Sequence, residues 1–224
     1  MFRRDSVLPL DPIANWFIVV DLWILQVWWS RLSPDNGARN PDSVSFLNLW
    51  PGLFLTRSAQ VYPTKAAIQY NDVSYSYAEF DDRVQNLAGA FVNAGISAGD
   101  RVAYLVPNIP QLLEGHYGPM RMGAVLVAIN IRLSSREIGF ILRHSGAKAL
   151  IFDSEYAGTV KVALEHSRKL DNTSGPDEIK LLVEVVDTDS KNITPPASGL
   201  HGAIEYEKFL SSGENVSLPT LQRS

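Results

Sequence analysis

The sequence predicts an α/β fold in which a parallel sheet carries helices on both faces. Three observations lead there. Apolar runs of five or six residues alternate with longer segments of helical periodicity between residues 75 and 186. Those runs are continuously apolar rather than alternating, as strands buried on both faces require. Two Ser-x-x-Glu sequences, at Ser76–Glu79 and Ser134–Glu137, each stand ahead of a periodic stretch, where they form capping boxes. Strand–helix–strand repetition of this kind implies right-handed crossovers in one sheet.

The elements follow in order. Residues 52–61 read as a short helix that stops before Pro63. AAIQY and VSYSY flank Asn71–Asp72, a turn pair, and so predict a β-hairpin. Phe80, Val84, Leu87 and Phe91 fall at i, i+4, i+7 and i+11, one apolar stripe of a helix that Gly95 ends in a left-handed conformation. RVAYLV (101–106) is a strand. Asn108 and Pro110 open a helix through about Met122, with Pro110 placed where its missing N–H is not needed. AVLVAI (124–129) reads as the next buried strand. The second capping box starts a helix with Ile138, Ile141 and Leu142 on one face, and Gly146 stops it. KALIF (148–152) is a strand, 154–168 a helix carrying Tyr156, Val160, Ala163 and Leu164, and LLVEVV (181–186) the last strand. One or two helical turns are expected at 204–210. The domain organisation expected is an N-terminal extension at 1–45, the α/β portion at 46–186, and a poorly ordered tail at 187–224.

Composition narrows the function. The 224 residues carry 20 Lys and Arg against 24 Asp and Glu, a net charge of −4, so no basic footprint for nucleic acid exists. Cysteine is absent, which removes disulfides and thiolate chemistry. His144, His166 and His201 have no metal-ligand spacing. No G-x-G-x-x-G turn follows a strand and no G-x-S-x-G is present, which argues against a dinucleotide oxidoreductase and a serine hydrolase. Residues 16–29 (WFIVVDLWILQVWW) are apolar but shorter than the ~20 residues a crossing helix needs, and Asp21 and Gln26 interrupt them. Membrane contact, a docking helix or a signal-peptide core all remain open there, and Trp16, Trp23, Trp28 and Trp29 suit an interfacial belt or a partner. The sequons at Asn172, Asn192 and Asn215 read as unmodified.

YSYAEF (75–80) is similar to the first core motif of the adenylate-forming, AMP-binding acyl-CoA ligases. AGDRVAYLVPN (98–108) is similar to the segment that feeds their next helix, and EGHYGPMRMGAVLVAINIRLSSREIGFILRHSGAKALIFD (114–153) resembles their medium-chain and general acyl-activating branch. The resemblance covers about residues 46–186. It implies a two-step reaction. A fatty or aromatic carboxylate attacks ATP to give an acyl-adenylate, and coenzyme A then displaces AMP, with Mg²⁺ and cationic groups stabilising the charge on the phosphates.

Asn130, at the carboxyl end of a strand, is by that resemblance in the vicinity of coenzyme A. Its alternative role is a side-chain-to-backbone bond that turns the chain out of the strand. His116 and Tyr117 are either lining positions near a substrate tunnel or simply a helix face packed on the sheet. Arg132 reads as a solvated charge, and Asp100 as a turn with an Asx hydrogen bond. No catalytic or metal-binding residue is assigned. The family's Gly/Ser/Thr-rich phosphate loop with its Lys, its ribose-binding Asp, its hinge and its C-terminal catalytic Lys have no counterpart in these 224 residues. The expectation is therefore an N-terminal fragment of such a ligase that is inactive alone and binds neither ATP, Mg²⁺ nor coenzyme A tightly. The alternative is a truncated, non-catalytic interaction protein of the same descent. The expected location is cytoplasmic, with peroxisomal or membrane-associated as alternatives.

Overall fold

The computed structural model describes residues 51–169, 179–186, 200 and 202–218. The expectations for residues 1–45, including the apolar segment 16–29, its tryptophans and the linker that follows, lie outside the described residues, as do Asn172, Asn192 and His201.

Helix α1 (Pro51–Val61) leads into a hairpin of β1 (Ala66–Tyr70) and β2 (Val73–Ser76). The two strands pair antiparallel as a separate two-stranded sheet. Asn71 sits in the turn at φ 50°, a left-handed conformation that Asn tolerates better than most residues. Helix α2 (Tyr77–Asn93) begins on the predicted capping box. Ser76 Oγ accepts from the Glu79 amide at 3.3 Å, and the Glu79 carboxylate accepts from the Ser76 amide at 2.7 Å. Its end is a Schellman motif: the Gly95 amide donates to Val92 O and the Ile96 amide to Phe91 O, with Gly95 at φ 79°.

The main sheet holds β3 (Arg101–Leu105), β4 (Val125–Ala128), β5 (Ala147–Asp153), β6 (Leu181–Val185) and β7 (Ile204–Glu205) in the order β4-β3-β5-β6-β7, all parallel. Helix α3 (Pro110–Arg121) joins β3 to β4, and α4 (Ser135–Ser145) joins β4 to β5. A 3-10 turn (Ser154–Tyr156) precedes α5 (Ala157–Lys169), so the first turn of the helix expected at 154–168 is wound tighter than α.

Strand residues alternate between two cores. Val102, Tyr104, Ala149, Ile151, Leu181, Val183 and Val185 face Leu87, Ala90 and Phe91 of α2 and Ile109 and Met122 at the ends of α3. Ala103, Leu105, Leu150 and Phe152 face Ile138 and Leu142 of α4 and Val160 and Ala163 of α5. The expected parallel sheet with both faces covered is therefore what forms. A third, smaller cluster of Leu55, Ile68, Phe80 and Val84 seats the hairpin on α1 and α2. Arg121, at the end of α3, ties that helix to α1 and α2, donating to Thr56 on the first and to Gln85 and Asp81 on the second.

One reading of the sequence needs correction. β4 is not a buried strand: among the described residues it is an edge strand, and Val125 is 50% exposed. A run such as VLVA is equally apolar at an edge and in a centre, so composition does not separate the two. Residues 204–210, where one or two helical turns are expected, hold the two-residue β7 and helix α6 (Tyr206–Ser211), with Tyr206, Phe209 and Leu210 buried in the first core. The segment is short, and its polar residues hide three apolar anchors spaced to one face.

Candidate functional site

In this strand order the chain leaves β3 toward β4, then returns past β3 to β5. The crevice outside the carboxyl ends of β3 and β5 is thus the topological switch point, where open α/β sheets gather ligands. Asp153 closes β5 at that edge. It is 1% exposed, and its Oδ1 accepts from the Glu155 amide at 2.8 Å, which caps the 3-10 turn. The sequence reading passed over Asp153, although a carboxylate ending an apolar strand directly before a helix is a signal for a helix cap.

Asn130 follows β4 at the same carboxyl edge and is exposed. Its Oδ1 accepts from the Arg132 amide at 2.9 Å, an Asx turn that steers the chain toward Ser134. Arg132 is exposed. His116 and Tyr117 sit elsewhere, along α3. His116 lies six residues into that helix, about 9 Å along its axis from the start, and its Nδ1 is 2.8 Å from Leu112 O in its own helix. Tyr117 packs edge-on against Phe80 with ring centroids 5.6 Å apart, and burial raises its phenol pKa. The three residues therefore occupy two places in the fold.

Asp100 makes the expected turn bond, Oδ2 accepting from the Ser97 amide at 2.8 Å, and it also meets Lys148 Nζ at 2.9 Å. Burial pulls its carboxyl upward, but the Lys148 ammonium and the Ser97 amide outweigh that and hold it below the ordinary value.

A dense polar cluster lies where the sequence reading singled out nothing. Glu114 on α3 is fully buried. Its Oε1 accepts from Arg83 Nε at 2.5 Å and its Oε2 from the Tyr206 hydroxyl at 2.6 Å. Arg83 reaches on to Glu207 with a bidentate pair at 2.9 and 2.7 Å, and its guanidinium lies 4.8 Å from the Tyr75 ring centroid. Burial pushes the Glu114 carboxyl up, with Arg83 and Tyr206 pulling against it. Burial works against charge on Arg83, yet the bonds to Glu207 and Glu114 win and raise its pKa. Burial and the nearby Glu114 raise the Tyr206 and Tyr104 phenols well above normal. Both Glu114 oxygens are engaged by protein donors inside the core, so the cluster ties α2, α3 and α6 together.

Neither a metal nor a phosphate finds a fitting cradle among the described residues. No group of three or more His, Asp or Glu there is placed to hold a metal ion. Four of the five glycines at positive φ among the described residues turn their amides back on the fold: Gly95 to Val92 O, Gly99 to Gly123 O, Gly123 to Met120 O and Gly146 to Arg143 O. Amides spent on helix ends and turns are not presented as an anion nest.

Comparison with known proteins places this geometry. The family described as AMP-binding enzyme matches residues 55–206. The chain is 33% identical over 173 residues to the acetate–CoA ligase CCL3 of Humulus lupulus, covering 77% of this chain and 30% of that protein. It is 32% identical over 171 residues to the peroxisomal acetate/butyrate–CoA ligase AAE7 of Arabidopsis thaliana, covering 76% and 30%. Among solved structures, the N-terminal domain of FACL13 from Mycobacterium tuberculosis superimposes with a TM-score of 0.54 at 25% identity, over 75% of this chain and 36% of that one. The chain thus spans about 30% of the length of these curated relatives.

Proposed function

Because the chain belongs to the AMP-binding enzyme family, we propose that its 224 residues are the N-terminal portion of an ATP-dependent acyl-CoA ligase and carry no adenylation by themselves. The observation that carries this reading is the match of the α/β portion to acyl-CoA ligases of which it spans about 30%. In that reading the intact enzyme activates a carboxylic acid through an acyl-adenylate and passes it to coenzyme A. The part described here supplies the sheet and its helix layers. Asn130 sits on the coenzyme A side at the carboxyl edge, and His116 and Tyr117 back the acyl side. ATP and Mg²⁺ are held by segments other than those described, in keeping with glycine amides that are already spent.

Purified 224-residue polypeptide incubated with ATP, Mg²⁺, labelled pyrophosphate and acetate or butyrate is expected to show no exchange above a no-enzyme control. Acid-dependent exchange would overturn the inactivity.

One observation favours a second reading, a non-catalytic interaction protein of the same family. Among the described residues β4 is an edge strand with Val125 half exposed, and unpaired apolar edges recruit partners. Sequencing of transcripts through codon 224 separates the two. The ligase reading expects a frame that continues into a Gly/Ser/Thr-rich loop with a Lys. A stop directly after Ser224 in every transcript favours the interaction protein.

No helix among the described residues is long and apolar enough to cross a membrane. Membrane contact, if it occurs, is assigned to residues 16–29. The cytoplasm is the proposed location, and the Arabidopsis relative's name supplies the peroxisomal alternative.

A further inference from the structure

The segment 202–216 is held to the rest of the fold in an unusual way. Its backbone joins the sheet through two residue pairs, Val183–Ile204 and Glu184–Glu205. Helix α6 has six residues, far fewer than the ~12–15 a helix needs to stand alone in water. Almost all of its hold is therefore tertiary, and it is directed at one groove, between α2 and α3.

Four contacts define that seat. Phe209 meets Phe91 edge-on with centroids 5.3 Å apart. Asn93 Nδ2 donates to Ser212 O at 2.7 Å. Tyr206 and Glu207 close on the Glu114–Arg83 pair. Gly213 lies directly on α2 at Gly89. A Cβ on Gly89 would run into Gly213 O, and a Cβ on Gly213 would run into Asn86 O and Ala90 N. The two backbones meet with no room for a side chain on either.

We propose that residues 202–216 form a latch, a cooperative unit that closes the α2–α3 groove, is locked by Arg83, Glu114 and Tyr206, and opens without unfolding of the sheet. Units tied to a fold by few backbone rungs and a local set of side chains open sub-globally in this manner. The polar lock suits a latch better than an apolar one would. A buried charge finds its partners in one register only, so the lock specifies where the segment seats. Opening removes the Tyr206 hydroxyl from Glu114 and uncovers Phe91, so the open state is a distinct conformation of the groove.

Gly89→Ala tests this, because two effects of opposite sign meet there. Within a helix, alanine is favoured over glycine, so an α2 that carries no latch gains from the change. With a docked latch, the new methyl collides with Gly213. Hydrogen–deuterium exchange on the full 224-residue chain reads the difference. The expected result is at least a tenfold rise in exchange at residues 206–213 in Gly89→Ala, with amides of β3 and β5 changed less than twofold. Equal acceleration of latch and sheet would overturn the proposal, because the segment would then be part of the global folding unit. Unchanged exchange at 206–213 would overturn it as well, because no seat would exist at Gly89. If Gly89→Ala does not fold, the same comparison is read on Tyr206→Phe, which removes only the hydroxyl bond to Glu114, with the same two overturning outcomes.

Discussion

Replacing Glu114 with alanine is expected to lower the unfolding free energy by about 3–5 kcal/mol, the usual penalty for removing one partner of a buried ion pair. The carboxylate is fully buried and accepts from Arg83 on one oxygen and from Tyr206 on the other. Its loss strands two donors at once. The Tyr206 hydroxyl, in a residue only 1% exposed, is left without its acceptor. The Arg83 guanidinium, with its side chain 17% exposed, keeps only Glu207. Glu114→Gln discriminates the cause. It keeps the shape and one acceptor oxygen, so it satisfies one donor and not both, and about 1–3 kcal/mol of loss is expected from the remaining unmade bond. Urea unfolding followed by far-UV circular dichroism measures both. An alanine variant within about 0.5 kcal/mol of the parent, the range of ordinary surface changes, would show that Glu114 is solvated and the lock absent.

That lock also marks where the sequence stops being legible. Features with a local cause were readable. Ser76 and Ser134 cap helices because the Glu three residues on completes the box, and both boxes form. Gly95 and Gly146 end helices at positive φ, and Asn71 turns the hairpin. The strands followed from runs of apolar residues, and their parallel arrangement followed from the helices between them. The Arg83–Glu114–Tyr206 cluster joins residues 31 and 92 positions apart, and no local pattern states such a pairing. A Glu on a helix ordinarily reads as surface. One signal was nevertheless present: Gly115 and Gly118, one and four residues after Glu114, leave two positions beside it on the helix without a side chain, and so a bare face. Such a face permits close approach, and a Cβ on Gly115 would lie 2.5 Å from the Tyr104 ring. A carboxylate on a closely packed helix face is buried and must have partners.

The same limit governed the candidate site. Asn130, His116 and Tyr117 came from resemblance and chain position, and the fold places the first at the carboxyl edge of the sheet and the other two along α3. Strand order decides which carboxyl ends form the crevice, and strand order is a non-local property. The edge position of β4 was hidden for the same reason, since VLVA carries no mark of having one neighbour instead of two.

Phe91→Ala is the second large effect, again about 3–5 kcal/mol, as expected for emptying a fully buried aromatic position. Marginal stability for a domain is about 5–15 kcal/mol, so this loss removes a substantial share of it. Phe152→Ala on the opposite face is the fitting comparison, because Phe152 is equally buried but belongs to the α4–α5 core. Both variants shift the urea midpoint. They differ in what they do to α6. Phe91 touches Phe209 edge-on, and such ring pairs contribute about 0.5–1.5 kcal/mol beyond their buried area. A double-mutant cycle of Phe91→Ala and Phe209→Ala should return a coupling of that size, whereas Phe152→Ala and Phe209→Ala, which share no cluster, should be additive within about 0.5 kcal/mol. Equal coupling in both cycles would mean that the two faces of the sheet respond as one body to any core vacancy. The seat of α6 against α2 would then have no energetic identity of its own, and the close approach of Gly89 and Gly213 would be packing without consequence.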